Sequence, residues 1–142
     1  MLNDRSMKNL SGVHPDLVVV ILRASENESV PFIVVEGLRS PERQAILLAQ
    51  GRSRTTRSLH LDGRAVDLCV ALPGGGVSWE RGAYKILAMS VLAAAHELGI
   101  PVEWGGEAFG PAFVDGPHFQ LNPHFYPAAV LNLQPEGQVT QT

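Results

Sequence analysis

Cysteine and positive charge are both scarce in this sequence, and each shortage excludes a class of protein. Cys69 is the single cysteine among 142 residues, so an internal disulfide framework is impossible and nothing ties folding to an oxidising compartment. Basic side chains number 11 against 14 acidic ones, which gives a formal net charge of −3. No overall positive field therefore draws the protein to nucleic acid, and we expect no nucleic-acid partner.

Long apolar runs are also missing. The first residues, MLNDRSMKNLSGVHPDL, contain no apolar core of signal-peptide length. The longest apolar-rich stretches are far too short to span a membrane. We therefore expect a protein made in the cytoplasm, without a signal peptide and without membrane insertion. Action anywhere else would require a separate component that moves the protein.

The composition that remains is that of an ordinary globular domain. Apolar residues make up 45% and charged residues 18% of the chain, and 142 residues suit one domain with its own core. We expect a single domain over residues 1–134. A flexible C-terminal tail is expected over 135–142, where the sequence PEGQVTQT lacks any apolar pattern.

Apolar spacing and capping residues predict an alternation of helices and strands. Ser40, Pro41 and Gly51 bracket one helix, and Gly99 ends the longest one. Helices are predicted over 14–25, 40–51 and 80–99, and strands over 30–37, 64–72, 100–106 and 118–121. Because short connections join the last strands, the pattern favours an α+β fold with a small, mostly antiparallel sheet and flanking helices. The alternation would also suit a parallel α/β sheet.

The stretch SLHLDGRAVDL, residues 58–68, places His60 and Asp67 seven positions apart. Asp67 lies in the middle of an apolar strand, where a charge is costly unless it binds a cation or an opposite charge. Strand alternation puts it on one face with Cys69, away from its apolar neighbours. Two interpretations follow. Either His60 and Asp67 are metal ligands, or Asp67 pairs with a buried arginine such as Arg39 and His60 is a loop residue.

His118 supplies the third ligand in the metal interpretation. It opens the strand HFQL, in which His118 and Gln120 share one face while Phe119 and Leu121 share the other. The apolar pair can enter the core while the histidine faces a cleft. Zinc accepts imidazole nitrogen and carboxylate oxygen, and catalytic zinc sites usually have three protein ligands plus water. Two histidines and one aspartate would complete such a site.

Asp115 stands three residues before His118, across the turn DGP. A metal-dependent hydrolase needs a base that takes the proton of the attacking water and passes it to the leaving amine. Asp115 is placed to reach that water without binding the metal. Its carboxylate could also form an Asx-turn before Gly116. Glu103, on the strand before Trp104, is the competing candidate for the base.

Three stretches of the sequence resemble motifs of one enzyme family. SLHLDGRAVD matches the pattern Ser-x-His-x-x-Gly-x-Ala-x-Asp of the zinc D,D- and L,D-peptidases of the M15 (VanY-like) class. VDGPHFQL resembles their second metal motif, and EGLRSPERQ resembles their early Gly-x-Arg-Ser motif. Together the three span residues 36–121 in the order of that class. The chain resembles most the phage L-alanyl-D-glutamate endopeptidases, single-domain endolysins that also carry Asp in the acid position.

The resemblance implies a fold, a metal and a catalytic base. The fold is the hedgehog/D,D-peptidase fold, and the metal is one zinc ion per chain, held by His60, Asp67 and His118. Asp115 would be the general base. The segment from Gly105 to Phe109 departs from the family pattern, which leaves the details of substrate preference open.

The resemblance also assigns roles around the early motif. Arg39 would stabilise the oxyanion of the transition state, unless it forms a salt bridge to Glu36 or Asp67 instead. Ser58 and Gln44 would contribute to substrate binding, Ser58 by orienting the substrate or a neighbouring group and Gln44 by supporting Arg39.

The expected activity is zinc-dependent cleavage of the peptide stem of peptidoglycan, at the bond between L-Ala and D-Glu, in phage-type lysis of a host with a thin wall. Release through a holin-like partner and a monomeric state are expected with it. One alternative is a D,D-carboxypeptidase or dipeptidase of the same class. Another is a non-catalytic module braced by zinc, which would need a fourth protein ligand, with Cys69 as the spare donor.

Overall fold

The computed structural model describes residues 2–51, 58–111 and 114–127. The predicted tail over 135–142, the last part of the predicted domain and residues 52–57 lie outside the described residues. No described helix is long and apolar enough to cross a membrane. The elements are α1 (Asp4–Asn9), α2 (Pro15–Ser25), β1 (Phe32–Glu36), α3 (Pro41–Ala49), a 3-10 turn (Leu59–Asp62), β2 (Ala65–Ala71), β3 (Val77–Ser78), α4 (Arg81–Leu98), β4 (Val102–Trp104) and β5 (His118–Leu121).

The predicted helix ends are confirmed by their capping contacts. The Ser40 hydroxyl accepts a hydrogen bond from the Arg43 N–H at the start of α3, and Gly99 ends α4 with a φ of 71°. His14 caps α2, because its Nδ1 accepts from the Asp16 N–H at 3.0 Å. The three predicted helices and four predicted strands are therefore all present.

Helix α1 was absent from the sequence prediction. It has no apolar stripe and depends instead on polar contacts to the edge strand β1. The Ser6 hydroxyl accepts from the Val34 N–H at 2.9 Å, and the Asn9 amide donates to the Val34 carbonyl at 2.8 Å. These bonds cover the backbone of a strand that would otherwise be an open sheet edge. The 3-10 turn and the short β3 also went unpredicted.

The described strands form one antiparallel sheet in the order β1-β2-β5-β4, and β3 pairs with the far end of β2. The parallel alternative is therefore wrong, and the α+β class is confirmed. One face of the sheet joins α2 and α4 in the core, to which it contributes Val34, Val66, Leu68, Phe119 and Leu121.

A β-bulge in β1 determines which side chains occupy the other face. Phe32, Ile33 and Val34 pair in regular register with β2, but the register shifts between Val34 and Glu36. As a result Glu36, rather than Val35, lies opposite Asp67. Asp67 in turn lies opposite His118 on β5. The bulge therefore turns the Glu36 carboxylate away from the core, toward the face of the sheet that carries Asp67 and His118.

Candidate metal centre

His60, Asp67 and His118 meet on the polar face of the sheet. Their ligand atoms all lie within 4.8 Å of one another. The Asp67 Oδ1 atom is 3.3 Å from His60 Nε2 and 3.5 Å from His118 Nδ1. Both histidines are buried, and Asp67 is half-buried. The structure thus brings together the three residues that the sequence proposed as ligands.

The local backbone explains how His60 reaches this point. Ser58 caps the 3-10 turn, and Gly63 ends it with a φ of 76°. A Cβ atom on Gly63 would lie 2.4 Å from the Gly12 carbonyl oxygen, so glycine is needed both for its dihedral angle and for space. The His60 Nδ1 atom lies 2.9 Å from the Gly37 carbonyl oxygen. This contact directs Nε2 toward Asp67.

Two polar atoms of the cluster are buried without a hydrogen-bond partner, namely His60 Nε2 and Asp67 Oδ1. Buried polar atoms are rarely left unpaired, because an unmet donor or acceptor costs about 1–3 kcal/mol. Here both atoms point to the position that they share with His118 Nδ1. A cation bound by these three atoms would satisfy them, so the residues present fit a metal ion.

The electrostatics of the cluster favour an ionised Asp67 carboxylate beside a basic His118 imidazole. Burial acts to raise the pKa of Asp67, but the neighbouring imidazoles of His118 and His60 outweigh it and hold that pKa well below its usual range. Burial acts to lower the pKa of His118, but the neighbouring carboxylate of Asp67 outweighs it, so that pKa is raised. Asp67 therefore carries a full negative charge at neutral pH.

Asp115 lies beside the cluster but outside it. Among the described residues, the candidate ligand group comprises only the two histidines and Asp67. Burial and the charge of Asp67 raise the pKa of Asp115. Its backbone carbonyl accepts the His118 N–H at 3.1 Å, so a tight turn joins the aspartate to the candidate ligand. This placement suits a base better than a fourth ligand.

Gly105 holds this turn against the end of β4. Its N–H donates to the His118 carbonyl at 2.7 Å, and its carbonyl accepts from the Asp115 N–H at 2.9 Å. A Cβ atom on Gly105 would lie 2.5 Å from the Asp115 carbonyl oxygen and 2.9 Å from the His118 Cβ. Only glycine allows this approach without moving Asp115 or His118.

Gly105→Ala is therefore expected to displace both Asp115 and His118. We expect a loss of about 1–3 kcal/mol in the free energy of unfolding, as for other overpacked sites, together with weaker metal binding. Thermal melting and metal titration measure the two effects. Gly82→Ala is the matched control, because nothing lies within 4 Å of a Cβ at that position. Equal behaviour of the two variants would contradict the steric argument.

Arg39 is buried at the rim of the cluster, with a relative exposure of 7%. One terminal nitrogen donates to Glu36 Oε1 at 2.7 Å and lies 3.6 Å from Asp67 Oδ2. The other donates to Gln44 Oε1 at 2.7 Å and to the Ser58 hydroxyl at 3.4 Å. The salt bridges considered as the alternative from sequence are therefore present. The Nε atom of Arg39 is buried without a hydrogen-bond partner.

These contacts place the two residues that were predicted to bind substrate. Gln44 is buried, and its contact with Arg39 supports the interpretation that it holds the arginine. Ser58 is half-buried, and its hydroxyl accepts from both the His60 N–H and Arg39. Both residues thus contact Arg39.

The two competing candidates lie elsewhere. The Cys69 thiol is buried 3.6 Å from the Tyr84 hydroxyl and is not part of the candidate ligand group. The Glu103 carboxylate accepts from the Gln120 and Asn122 amides, each at 3.0 Å. A carboxylate engaged at both oxygens is poorly placed to serve as a base.

Sequence reasoning missed two neighbours of the cluster. Glu36 was considered only as a salt-bridge partner, and its position opposite Asp67 depends on a bulge that has no clear sequence signal. The Phe109 ring lies 5.6 Å from the His118 ring, centroid to centroid. Phe109 belongs to the segment that departs from the family pattern, so the departing segment does carry an aromatic ring to the site.

The fold and the cluster together define a metallopeptidase-type domain. The chain is similar to the solved structure of an L-Ala D-Glu endopeptidase, ChiX, of Serratia marcescens, with a TM-score of 0.82 and 51% identity over 90% of this chain and 95% of that one. It also shares its fold with the LD-carboxypeptidase LdcB, with a TM-score of 0.51 and 19% identity over 84% of this chain and 77% of that one.

The family follows from the sequence comparison. The phage L-alanyl-D-glutamate peptidase family matches residues 1–122, and the chain belongs to that family. The family prediction made from the three motifs is therefore confirmed.

Two phage proteins illustrate the relationship. The L-alanyl-D-glutamate peptidase of Listeria phage A118 is 40% identical over 103 residues, which are 72% of this chain and 34% of that protein. The peptidase of the same name from Escherichia phage T5 is 30% identical over 106 residues, which are 72% of this chain and 77% of that protein. The chain thus spans about a third of the Listeria phage relative and most of the other.

Proposed function

We propose that this protein is a zinc-dependent endopeptidase that hydrolyses the L-Ala–D-Glu bond in the peptide stem of peptidoglycan. The observation that carries the proposal is the convergence of His60 Nε2, Asp67 Oδ1 and His118 Nδ1, two of which are buried without any other partner. Family membership and the names of the relatives supply the substrate class and the bond.

The donor set argues for zinc among the common metals. Two imidazole nitrogens and one carboxylate oxygen are typical zinc ligands, and three protein ligands are typical of a catalytic rather than a structural site. A bound zinc ion lowers the pKa of a water ligand to about 7 and polarises a substrate carbonyl. His60, Asp67 and His118 would hold the ion.

Asp115 is the proposed general base. It accepts a proton from the attacking water and delivers that proton to the amine that leaves when the peptide bond breaks. Its raised pKa suits both halves of this task, because a base works best when its pKa approaches the working pH. Two observations support this role: a tight turn joins Asp115 to His118, and the charges of Asp67, His118 and His60 act on its carboxyl group.

Arg39 is the proposed donor to the oxyanion that forms on the substrate carbonyl. Glu36, Gln44 and Ser58 hold its two terminal nitrogens and so fix the guanidinium at the rim of the cluster. Such a fixed donor stabilises developing charge without reorganisation during the reaction. Gln44 and Ser58 then influence the substrate by fixing Arg39.

Arg39→Lys is expected to lower both activity and stability. Lysine lacks the planar fork, so one ammonium group replaces the two separate terminal nitrogens that bind Gln44 and Glu36. A buried acceptor that is left without its donor costs about 1–3 kcal/mol. We expect a lower melting temperature, and a strong fall in kcat at a temperature where the variant is fully folded.

Arg43→Lys is the matched control for this prediction. Arg43 is exposed and lies 3.8 Å from the same carboxylate of Glu36. It should change neither the melting temperature nor kcat by much, because exposed pairs contribute little. If Arg39→Lys melts earlier but keeps full kcat when folded, Arg39 serves only the fold.

Digestion of purified peptidoglycan tests the proposed function directly. Mass spectrometry of the products should reveal new L-Ala carboxyl ends and new D-Glu amino ends, in the zinc-loaded protein but not after chelation. Release of a terminal D-Ala instead would indicate a carboxypeptidase. Stoichiometric zinc without any cleavage would indicate a binding module. Holin-dependent release and a monomeric state stay predictions.

A further inference from the structure

A series of buried and partly buried hydrogen bonds runs from His118 to the neighbouring strand. The His118 Nε2 atom lies 2.8 Å from Gln120 Oε1, on the same face of β5. The Gln120 amide nitrogen donates to Glu103 Oε1 at 3.0 Å, across the paired positions of β5 and β4. The Asn122 amide nitrogen donates to Glu103 Oε2 at 3.0 Å.

The Glu103 carboxylate, at the end of this series of hydrogen bonds, determines which atom donates in each of them. A carboxylate is an acceptor only, so Glu103 requires the NH₂ group of Gln120 to point toward it. The carbonyl oxygen of Gln120 then faces His118 and can only accept. The proton of a neutral His118 ring must therefore lie on Nε2, which leaves the lone pair of Nδ1 free.

We propose that Glu103 is a positioning residue that, through Gln120, fixes the tautomer of His118 that can bind the metal. The inference rests on the metal centre of the proposed function. It assigns a role to an acid that the sequence offered only as a competing base. It also explains why a glutamate on β4 should be held at both oxygens by amides.

One interaction inside the cluster favours the other tautomer of His118. Asp67 Oδ1 lies 3.5 Å from His118 Nδ1, and this anion favours a proton on Nδ1. A proton there would block metal binding through that nitrogen. Outer hydrogen bonds of this kind fix ring orientation and tautomer, and their loss typically lowers metal affinity by about 10- to 100-fold.

Glu103→Gln is the direct test, because the new amide can face Gln120 with either its oxygen or its nitrogen. Gln120 is then free to rotate and to donate to His118 Nε2. We expect zinc affinity, measured by competition with a chelator, to fall by about 10- to 100-fold. Glu107→Gln is the matched control, since Glu107 is an exposed acid on the adjoining turn. Its zinc affinity should equal that of the wild type.

Exchanging the two side chains should rescue the loss. In the double variant Glu103→Gln/Gln120→Glu, the carboxylate at position 120 is an acceptor only and again requires the proton of His118 on Nε2. The amide at position 103 can donate to it and can accept from Asn122. Zinc affinity should recover most of the way to the wild-type value, which a merely structural role for Glu103 does not predict.

Nitrogen NMR of the histidine rings gives a readout that needs no metal. In the metal-free wild type at a pH where the ring is neutral, His118 should carry its proton on Nε2, and Glu103→Gln should increase the Nδ1-protonated fraction. If Glu103→Gln unfolds, Gln120→Met removes the same acceptor and should show the same shift. An unchanged tautomer together with unchanged zinc affinity would overturn the positioning role. Failure of the wild type to bind zinc would overturn the proposed function, while the NMR comparison would still decide the tautomer.

Discussion

Asp115→Asn is expected to keep one zinc per chain and the wild-type melting temperature, and to lose about 10²- to 10⁴-fold in the hydrolysis of peptidoglycan. Asparagine preserves the size of the side chain and its tendency to form turns, so the hydrogen bond of the backbone with His118 survives. It cannot accept the proton of the attacking water. The rate of release of new amino groups from purified peptidoglycan measures the effect.

The alternatives to this result are informative in different ways. Asp115→Glu should recover part of the activity, because it retains the base one methylene farther out. If Asp115→Asn hydrolyses peptidoglycan at the wild-type rate, another group is the base. Loss of zinc in this variant would make Asp115 a fourth ligand, and the interpretation as a zinc-braced module would gain support.

His118→Ala is expected to abolish stoichiometric zinc binding and, with it, all metal-dependent hydrolysis. The variant removes one of the three candidate ligands. His60 and Asp67 then remain, and the candidate group holds no other metal ligand among the residues that the structure describes. A ligand that binds only the folded state stabilises it by about 4 kcal/mol at a thousand times its Kd. Added zinc should therefore raise the melting temperature of the wild type and leave that of His118→Ala unchanged.

His96→Ala is the matched control, because His96 is exposed in the last turn of α4, far along the chain from the cluster. Its zinc content and zinc-dependent melting shift should equal those of the wild type. A His118→Ala variant that retains tight, stoichiometric zinc would remove His118 from the metal site.

Local sequence was enough to predict the candidate metal ligands. Asp67 is a charged residue within an apolar strand, and the alternation of side chains along a strand separates it from Val66 and Leu68. The same alternation separates His118 from Phe119, which is fully buried in the core. The alternation of side chains along a strand is a local property, so it can be predicted without knowledge of the partner strand.

The residues that cap the helices could also be predicted from the sequence. Ser40 and Gly99 act through contacts with backbone a few residues away, and the structure confirms both. Helix α1 was not predictable on these grounds. Its stability depends on Ser6 and Asn9 binding the backbone of β1, which lies more than twenty positions along the chain. A short polar segment carries no sign of such a distant acceptor.

The sequence by itself thus determined the class of fold, the identity of the three candidate ligands and the family, because each depends on residue type and short-range spacing. Only the tertiary structure decided what surrounds those ligands. The bulge in β1 brings Glu36 opposite Asp67 and next to Arg39, and the pairing of β4 with β5 joins Glu103 to His118 through Gln120. Both results depend on the register between paired strands, and a slip of a single residue turns a side chain to the opposite face.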